Sequence, residues 1–233
     1  MKQSTQNLET KLKKIKVNSE ENPKAEFKWL IQHFNKENLT LCFQELDGKK
    51  ALGADGISKD EYAIKLEENI ESLVTRMKTG KYYPAPVREV MIPKGEGKFR
   101  PLGISNIEDK IVQSLFNKIL KAIYEPVLTN MSHGFREGRG CHTAIKDLHS
   151  FLSSKNDGVI IDVDLKNYFG TINHRKLILL LEMKIKDRWF IRYVVRMLKA
   201  GILSPDGFKV GDDGTPQGSI VSPILSNIFS HYA

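Results

Sequence analysis

The sequence predicts an α+β fold, rich in helix, with one β-hairpin and a small antiparallel sheet. Three observations point there. Residues 107–128 carry paired apolar positions (Ile111/Val112, Leu115/Phe116, Ile119/Leu120, Ile123/Tyr124), the mark of a long helix with a broad buried face. Residues 87–92 alternate and are β-branched, and residues 99–104 return across a glycine-bearing tip at 94–98, which reads as a hairpin. Strands and helices do not alternate regularly, so a doubly wound sheet is disfavoured.

The remaining elements follow in order. Residues 1–24 are polar and dotted with Lys11, Lys13, Lys14 and Lys16, and read as a frayed basic extension. Apolar residues Trp29, Leu30, Phe34, Leu39, Leu41 and Phe43 suggest one or two short helices. Gly53, Asp55 and Gly56 make residues 49–58 a loop. Ser58 can then cap a helix reaching residue 77, with Glu61 completing a capping box. A Tyr/Pro turn spans 81–86, and a glycine-arginine loop spans 134–140 before a helix over 143–152. Residues 158–165 read as a short buried strand. Helices follow from Asn173 or His174 and over 187–200, then a turn-rich stretch over 201–214 with a hairpin near 208–210, then a helix after Pro223.

A net charge of +8 and an isoelectric point near 9.3 suit a polyanionic partner. Cys42 and Cys141 have no metal-binding or redox spacing and read as free thiols of a reducing compartment. The first twenty residues lack the apolar stretch of a secretory signal. The longest apolar run, residues 177–181, is far too short to cross a bilayer.

Four segments carry chemistry. In Gly214-Thr215-Pro216-Gln217-Gly218-Ser219 a turn precedes an apolar helix, and Gly218 would let a ligand approach the main chain. At the end of the expected strand 158–165, Asp164 would be short of water and in need of a cation or a proton, with Asp162 two residues earlier on the same face. Mg²⁺ takes such hard oxygen ligands. Lys94, Lys98 and Arg100 flank the hairpin tip, where two cations can converge on a triphosphate. Gly134-Phe135-Arg136-Glu137-Gly138-Arg139 intersperses glycines with arginines, which suits a sugar-phosphate backbone. Taken singly, an acid-capped strand, a solvated basic hairpin and an ordinary helix-to-helix loop explain the last three as well.

Together, and in this order, the segments resemble reverse transcriptases, in the form encoded by group II introns. The resemblance runs through Pro93-Lys94, Gly97-Lys98, Arg100-Pro101-Leu102-Gly103-Ile104, the Gly-Phe-Arg-x-Gly-Arg loop, Asp164 with Phe169 five residues on, and Pro216-Gln217-Gly218. It implies the fingers and part of the palm of a right-hand polymerase: a basic extension over 1–35, fingers over 36–155 and a partial palm over 156–233. It implies RNA-directed DNA polymerase (nucleotidyltransferase) activity in a retroelement, with a maturase role in splicing. Asp164 is the implied Mg²⁺ ligand, helped by the Leu165 backbone carbonyl, with Asp162 a second candidate. Lys94, Arg100, Phe169, Gln217 and Gly218 are the implied dNTP contacts, Phe169 as the wall under the sugar. Arg88 (also a weaker candidate for the phosphates), Lys98, Arg136, Arg139, Asp55 and Gly56 are the implied nucleic-acid contacts. The family often has aspartate where this chain has Gly170.

The implied partners are intron RNA template, RNA/DNA hybrid and dNTP, in the bacterial cytoplasm with the nucleoid or a ribonucleoprotein. Two-metal phosphoryl transfer places two ions about 4 Å apart, and one aspartate cannot hold both. The family supplies the rest from a Tyr-x-Asp-Asp turn that these residues do not contain. The expectation is therefore an N-terminal fragment, inactive alone, with exposed palm surface that favours a homodimer. Two other readings stand beside it: a non-catalytic RNA-binding splicing module, and a defence-associated enzyme of the retron or abortive-infection kind.

Overall fold

Helix α5 (Ile107–Tyr124) is the axis of the protein, and its apolar pairs are buried as their spacing predicts. In the computed structural model, which describes residues 2–95, 97–154 and 157–232 with side chains from residue 7 onward, α5 packs on α1 (Lys2–Glu21), α2 (Lys36–Glu45) and α10 (Ser222–Tyr232). At its centre the Phe116 ring lies 4.5 Å from both Phe34 and Phe190. One apolar cluster runs from Leu8 to Ile228, so elements far apart in sequence share a core.

The basic N-terminal segment is not frayed. It forms α1, buries Leu8, and donates from Ser19 Oγ to the Ile123 carbonyl at 2.5 Å. Behind it the Phe27 amide donates to the carbonyl of Lys184, the last residue of α8 (His174–Lys184), the Phe27 carbonyl accepts from the Lys186 amide, and Lys184 Nζ donates to the Pro23 carbonyl. The lysines hid an apolar stripe (Leu8, Leu12, Ile15) that packs inward.

Ser58 and Glu61 form the expected capping box, but the helix they start breaks into α3 (Lys59–Ile64) and α4 (Leu66–Lys78). Asn69 Nδ2 donates to the Tyr62 carbonyl at 3.0 Å, occupying an oxygen that continuous helix would have used. Asn173 and Asp187 cap α8 and α9 (Arg188–Leu198) through their side chains.

The four-stranded sheet runs β2 (Lys98–Ile104), β1 (Val87–Gly95), β3 (Ile202–Ser204), β4 (Gly207–Lys209). It is mixed rather than antiparallel. Both hairpins are antiparallel, but β1 and β3 pair in parallel, because the chain returns to β1 only after the long helical crossover through α5 to α9. Glu96 and the 155/156 boundary expected between fingers and palm lie outside the described residues.

The expected buried strand over 158–165 is absent. The segment belongs to no sheet, and Val159 and Ile161 are 89% and 82% exposed. Its β-branched run has strand propensity, but among the described residues no neighbouring strand pairs with it, and an unpaired strand neither forms a ladder nor buries a face. Before it lies α6 (Cys141–Ser153), with no buried residue and with Ile145, Leu148 and Phe151 exposed.

Candidate functional site

The turn over 216–218 is built against the free edge of β2. Gly218 has φ +102°, and a Cβ there would lie 2.7 Å from the Gly103 carbonyl oxygen and 2.9 Å from the Leu102 side chain. The Gly103 amide donates to the Gln217 carbonyl at 2.6 Å. The close approach that the glycine permits is therefore to the protein's own strand. Beneath the turn, Gln113 Oε1 accepts from Ser219 Oγ (3.0 Å) and the Ile220 amide (3.1 Å), while its Nε2 donates to Ser105 Oγ (3.1 Å). Ser222 Oγ donates to the Pro216 carbonyl.

Phe169 reaches the same place from the other side. Asn167, in the left-handed region at φ 52°, starts the short helix α7 (Tyr168–Thr171). The Phe169 carbonyl accepts from the Thr215 amide at 2.8 Å, and the Ile172 carbonyl from the Gly214 amide at 2.8 Å. His174 Nε2–H donates to the Gly214 carbonyl at 2.5 Å. Gly170 fits because a Cβ would strike the Asn167 amide at 2.4 Å, and Gly214 packs on its backbone. The Phe169 ring stands edge-on to Phe135, centroids 5.8 Å apart, and Tyr168 Oη donates to the Ser226 carbonyl.

Between these parts lies a groove of about 340 Å³ lined by Pro101, Gly103, Asn167, Gly170, Gly214, Thr215 and Gln217, with Glu89 and Lys209 at its margin. Gln217 lines it, and its side-chain amide has no protein partner among the described residues.

Asp164, Lys94 and Arg100 do not line this groove. The β1–β2 register pairs Arg100 with Ile92 and Gly103 with Glu89, so strand alternation sets Lys98 and Arg100 on the opposite face from Pro101 and Gly103. Lys94 sits at the bulge where that register shifts. Asp162, Asp164 and Leu165 are exposed in the unpaired segment. Among the described residues no three His, Cys, Asp or Glu side chains are grouped to hold a metal. A hard carboxylate oxygen at Asp164 with the Leu165 carbonyl suits a Mg²⁺ that takes its other ligands from phosphates and water, not one caged by protein alone.

The remaining candidates have bonding partners within the protein. Arg136, 8% exposed, pairs with Glu125 (Nε to Oε2, 2.9 Å) and donates to the carbonyls of Glu125, Thr129 and Ser132. It holds the 129–140 loop that presents Phe135, itself at φ +58°. Arg139 is half-buried and bonds Asn130 at a shallow pocket shared with Lys146 and His133. Arg88 clasps the Leu52 carbonyl through Nε and Nη2. Asp55 accepts from the Ile57 amide, Gly56 sits at φ +71°, and the loop is fixed by Asn106 Oδ1, which accepts from Ala54 (2.8 Å) and Asp55 (3.4 Å).

Sequence reasoning missed Gln113, Asn106 and His174, which hold these loops. The available signals were an amide inside the apolar run of α5 and an asparagine at its first turn. Also unforeseen is Asp109, whose carboxylate accepts from Tyr82 Oη (2.5 Å) and the Ala85 amide (3.1 Å). Burial outweighs those bonds and pushes its pKa up to about 6.

Residues 92–233 match the family described as reverse transcriptase (RNA-dependent DNA polymerase). The chain belongs to the reverse transcriptase family. It is 37% identical over 222 residues to the group II intron-encoded protein LtrA of Lactococcus lactis subsp. cremoris, covering 94% of this chain and 37% of that protein. It is 40% identical over 195 residues to the putative COX1/OXI3 intron 1 protein of Saccharomyces cerevisiae, covering 83% of this chain and 23% of that one. The chain thus spans little more than a third of LtrA. A partial Cas6-RT-Cas1–Cas2 complex chain superposes with a TM-score of 0.55 at 17% identity, covering 88% of this chain and 34% of that chain, a likeness of fold. The segments that carried the resemblance all fall inside the matched regions, and no helix of the described residues is long and apolar enough to cross a membrane.

Proposed function

We propose that this chain is the nucleotide- and template-binding part of a group II intron-encoded RNA-directed DNA polymerase with a maturase role. The observation that carries this reading is the groove lined by Gln217, Gly170 and Asn167, with the Gln217 side-chain amide unpartnered among the described residues and Phe169 tied to Thr215 through its carbonyl. Gln217 and Gly218 would border the incoming nucleotide and Phe169 would back its sugar. Lys94 and Arg100 would grip the phosphates from the hairpin tip. Asp164 and the Leu165 carbonyl, with Asp162 nearby, would hold Mg²⁺, which supplies charge neutralisation at the phosphates when bound. Lys98, Arg139, Asp55 and Gly56 would face nucleic acid, with Arg88 and Arg136 ordering the loops that do so.

Calorimetric titration of a dNTP with Mg²⁺ tests the groove. Binding that weakens at least several-fold in Gln217→Ala and Phe169→Ala supports the reading. Binding that is absent, or equal in both variants and the parent, overturns it.

One observation favours a second reading, a non-catalytic RNA-binding module: no group of three or more His, Cys, Asp or Glu side chains that could hold a metal is found among the described residues. Primer extension on an RNA template separates the two, and this stretch by itself is expected to give none. The exposed Val159, Ile160, Ile161, Val163 and Leu165 favour self-association, for which light scattering at high concentration should report a mass above that of the monomer.

A further inference from the structure

Helix α9 is strongly two-sided. Phe190, Ile191, Tyr193, Val194, Met197 and Leu198 are buried. The other side carries Arg188, Arg192 and Arg196 four residues apart and then Lys199, with no acid in the helix. Asp187 is buried as its cap, and Asp212 faces Lys199 at 3.2 Å. Arg188 makes no hydrogen bond or ion pair among the described residues, and Arg192 lies over the Trp189 ring, 5.1 Å from its centre, with no hydrogen bond or ion pair among those residues.

Two aromatic rings sit within this cationic face. Arg196 lies over one side of Tyr83, 3.8 Å from the ring centre, and donates to the carbonyls of Gly80 (2.9 Å) and Tyr82 (2.6 Å). Tyr83 remains 66% exposed, so its other side is open. Trp189 is seated against Gly80, where a Cβ would come within 2.9 Å of the ring, and stays 43% exposed. Both rings are fixed from behind and bare in front. An ordinary solvated helix face needs neither the buttressed tyrosine nor the exposed tryptophan. Cations that track a backbone beside rigid rings that accept bases are the two parts of a single-strand binding surface.

We propose that the outward face of α9, with Tyr83, binds single-stranded polynucleotide. Arg188, Arg192 and Lys199 contact phosphates, and successive bases stack on Tyr83 and Trp189. The surface leads toward the Gln217 groove, since Leu198 and Gly201, at the end of α9, line that groove. It does not depend on the groove's own ligand.

The chain has two tryptophans, so Trp29→Phe leaves Trp189 as sole reporter. Labelled 12-nucleotide RNA and DNA single strands are titrated by fluorescence anisotropy and by Trp189 emission, from low to moderate salt. The expected result is quenched emission and binding whose strength falls with salt. The Arg188→Gln/Arg192→Gln pair should flatten the log–log salt slope by about 1.4, two phosphate contacts at roughly 0.7 each. Tyr83→Ala should weaken binding about tenfold, as the loss of one stacked base does, and Tyr83→Phe should restore it. The tighter of the two strands identifies the natural one. Excess dNTP with Mg²⁺ should leave this binding unchanged, which separates it from the nucleotide reading. The proposal is overturned if no strand binds at low salt, if Trp189 is not quenched, if the folded variants bind as the parent does, or if polyglutamate of equal charge binds as well as RNA.

Discussion

Replacing Gly218 by alanine is the sharpest test of how the turn is docked. At φ +102° an alanine bears a backbone strain of about 1–2 kcal/mol. Its Cβ would also sit 2.7 Å from the Gly103 carbonyl oxygen, a backbone atom that cannot swing aside. The turn must then lift from β2 and lose the bond from the Gly103 amide to the Gln217 carbonyl, which contributes about 0.5–1.5 kcal/mol. The sum is a loss of about 1.5–3.5 kcal/mol. Gly56→Ala is the control, since Gly56 also has positive φ (+71°) but meets nothing within 4 Å, and so carries only the strain of about 1 kcal/mol. Urea denaturation compares the two, and amide hydrogen exchange at Gly103 reports whether the turn has lifted. If Gly218→Ala costs no more than Gly56→Ala and Gly103 keeps its protection, the turn is not held as described.

Other outcomes follow from the same geometry. Phe116→Ala, which empties the site between Phe34 and Phe190, should lower stability by about 3–5 kcal/mol in the same denaturation assay. Arg136→Ala should cost about 3 kcal/mol by stranding Glu125 and three carbonyls, whereas Arg139→Ala at the shallow pocket should cost under about 1 kcal/mol. Asp109 has a folded pKa of about 6, above its ordinary value of 3.8. The folded state therefore holds this proton more tightly than the unfolded chain does. The resulting stability is complete below about pH 4, falls as pH rises through 6, and amounts to roughly 3 kcal/mol. Asp109→Asn should flatten the stability profile across that window, and a carboxyl resonance of Asp109 titrating near 4 would contradict this.

The helices were legible where burial imposes a single period. Paired apolars in α5 and the Ser58/Glu61 box named their elements because each rests on contacts within a few residues. The break at Lys65 was not legible, since it follows from one Asn69 amide taking the Tyr62 carbonyl. Strand propensity misled at 158–165, because a strand exists only with a neighbour to pair with, and propensity carries no information about neighbours. The lysines of α1 outweighed its thin apolar stripe, although the stripe decides how the helix packs. At the candidate site, residue types in order pointed to Gln217, which lines the groove, and to Phe169, whose carbonyl accepts from the Thr215 amide beside it. They gave no sign that Arg136 and Arg88 spend their guanidinium groups on the chain's own carbonyls. That assignment depends on which loop lies beside which, as does the pairing of Asn106 with the 53–55 loop.

Photocrosslinking tests the central claim most directly. A photoreactive dNTP analogue with Mg²⁺ is irradiated with the protein, and the labelled peptides are mapped by mass spectrometry. Label should concentrate on residues 167–170 and 214–218, be displaced by unmodified dNTP, and fade in Gln217→Ala. Label confined to peptides away from the groove, or indifferent to competing dNTP, would contradict the assignment of that groove to the incoming nucleotide.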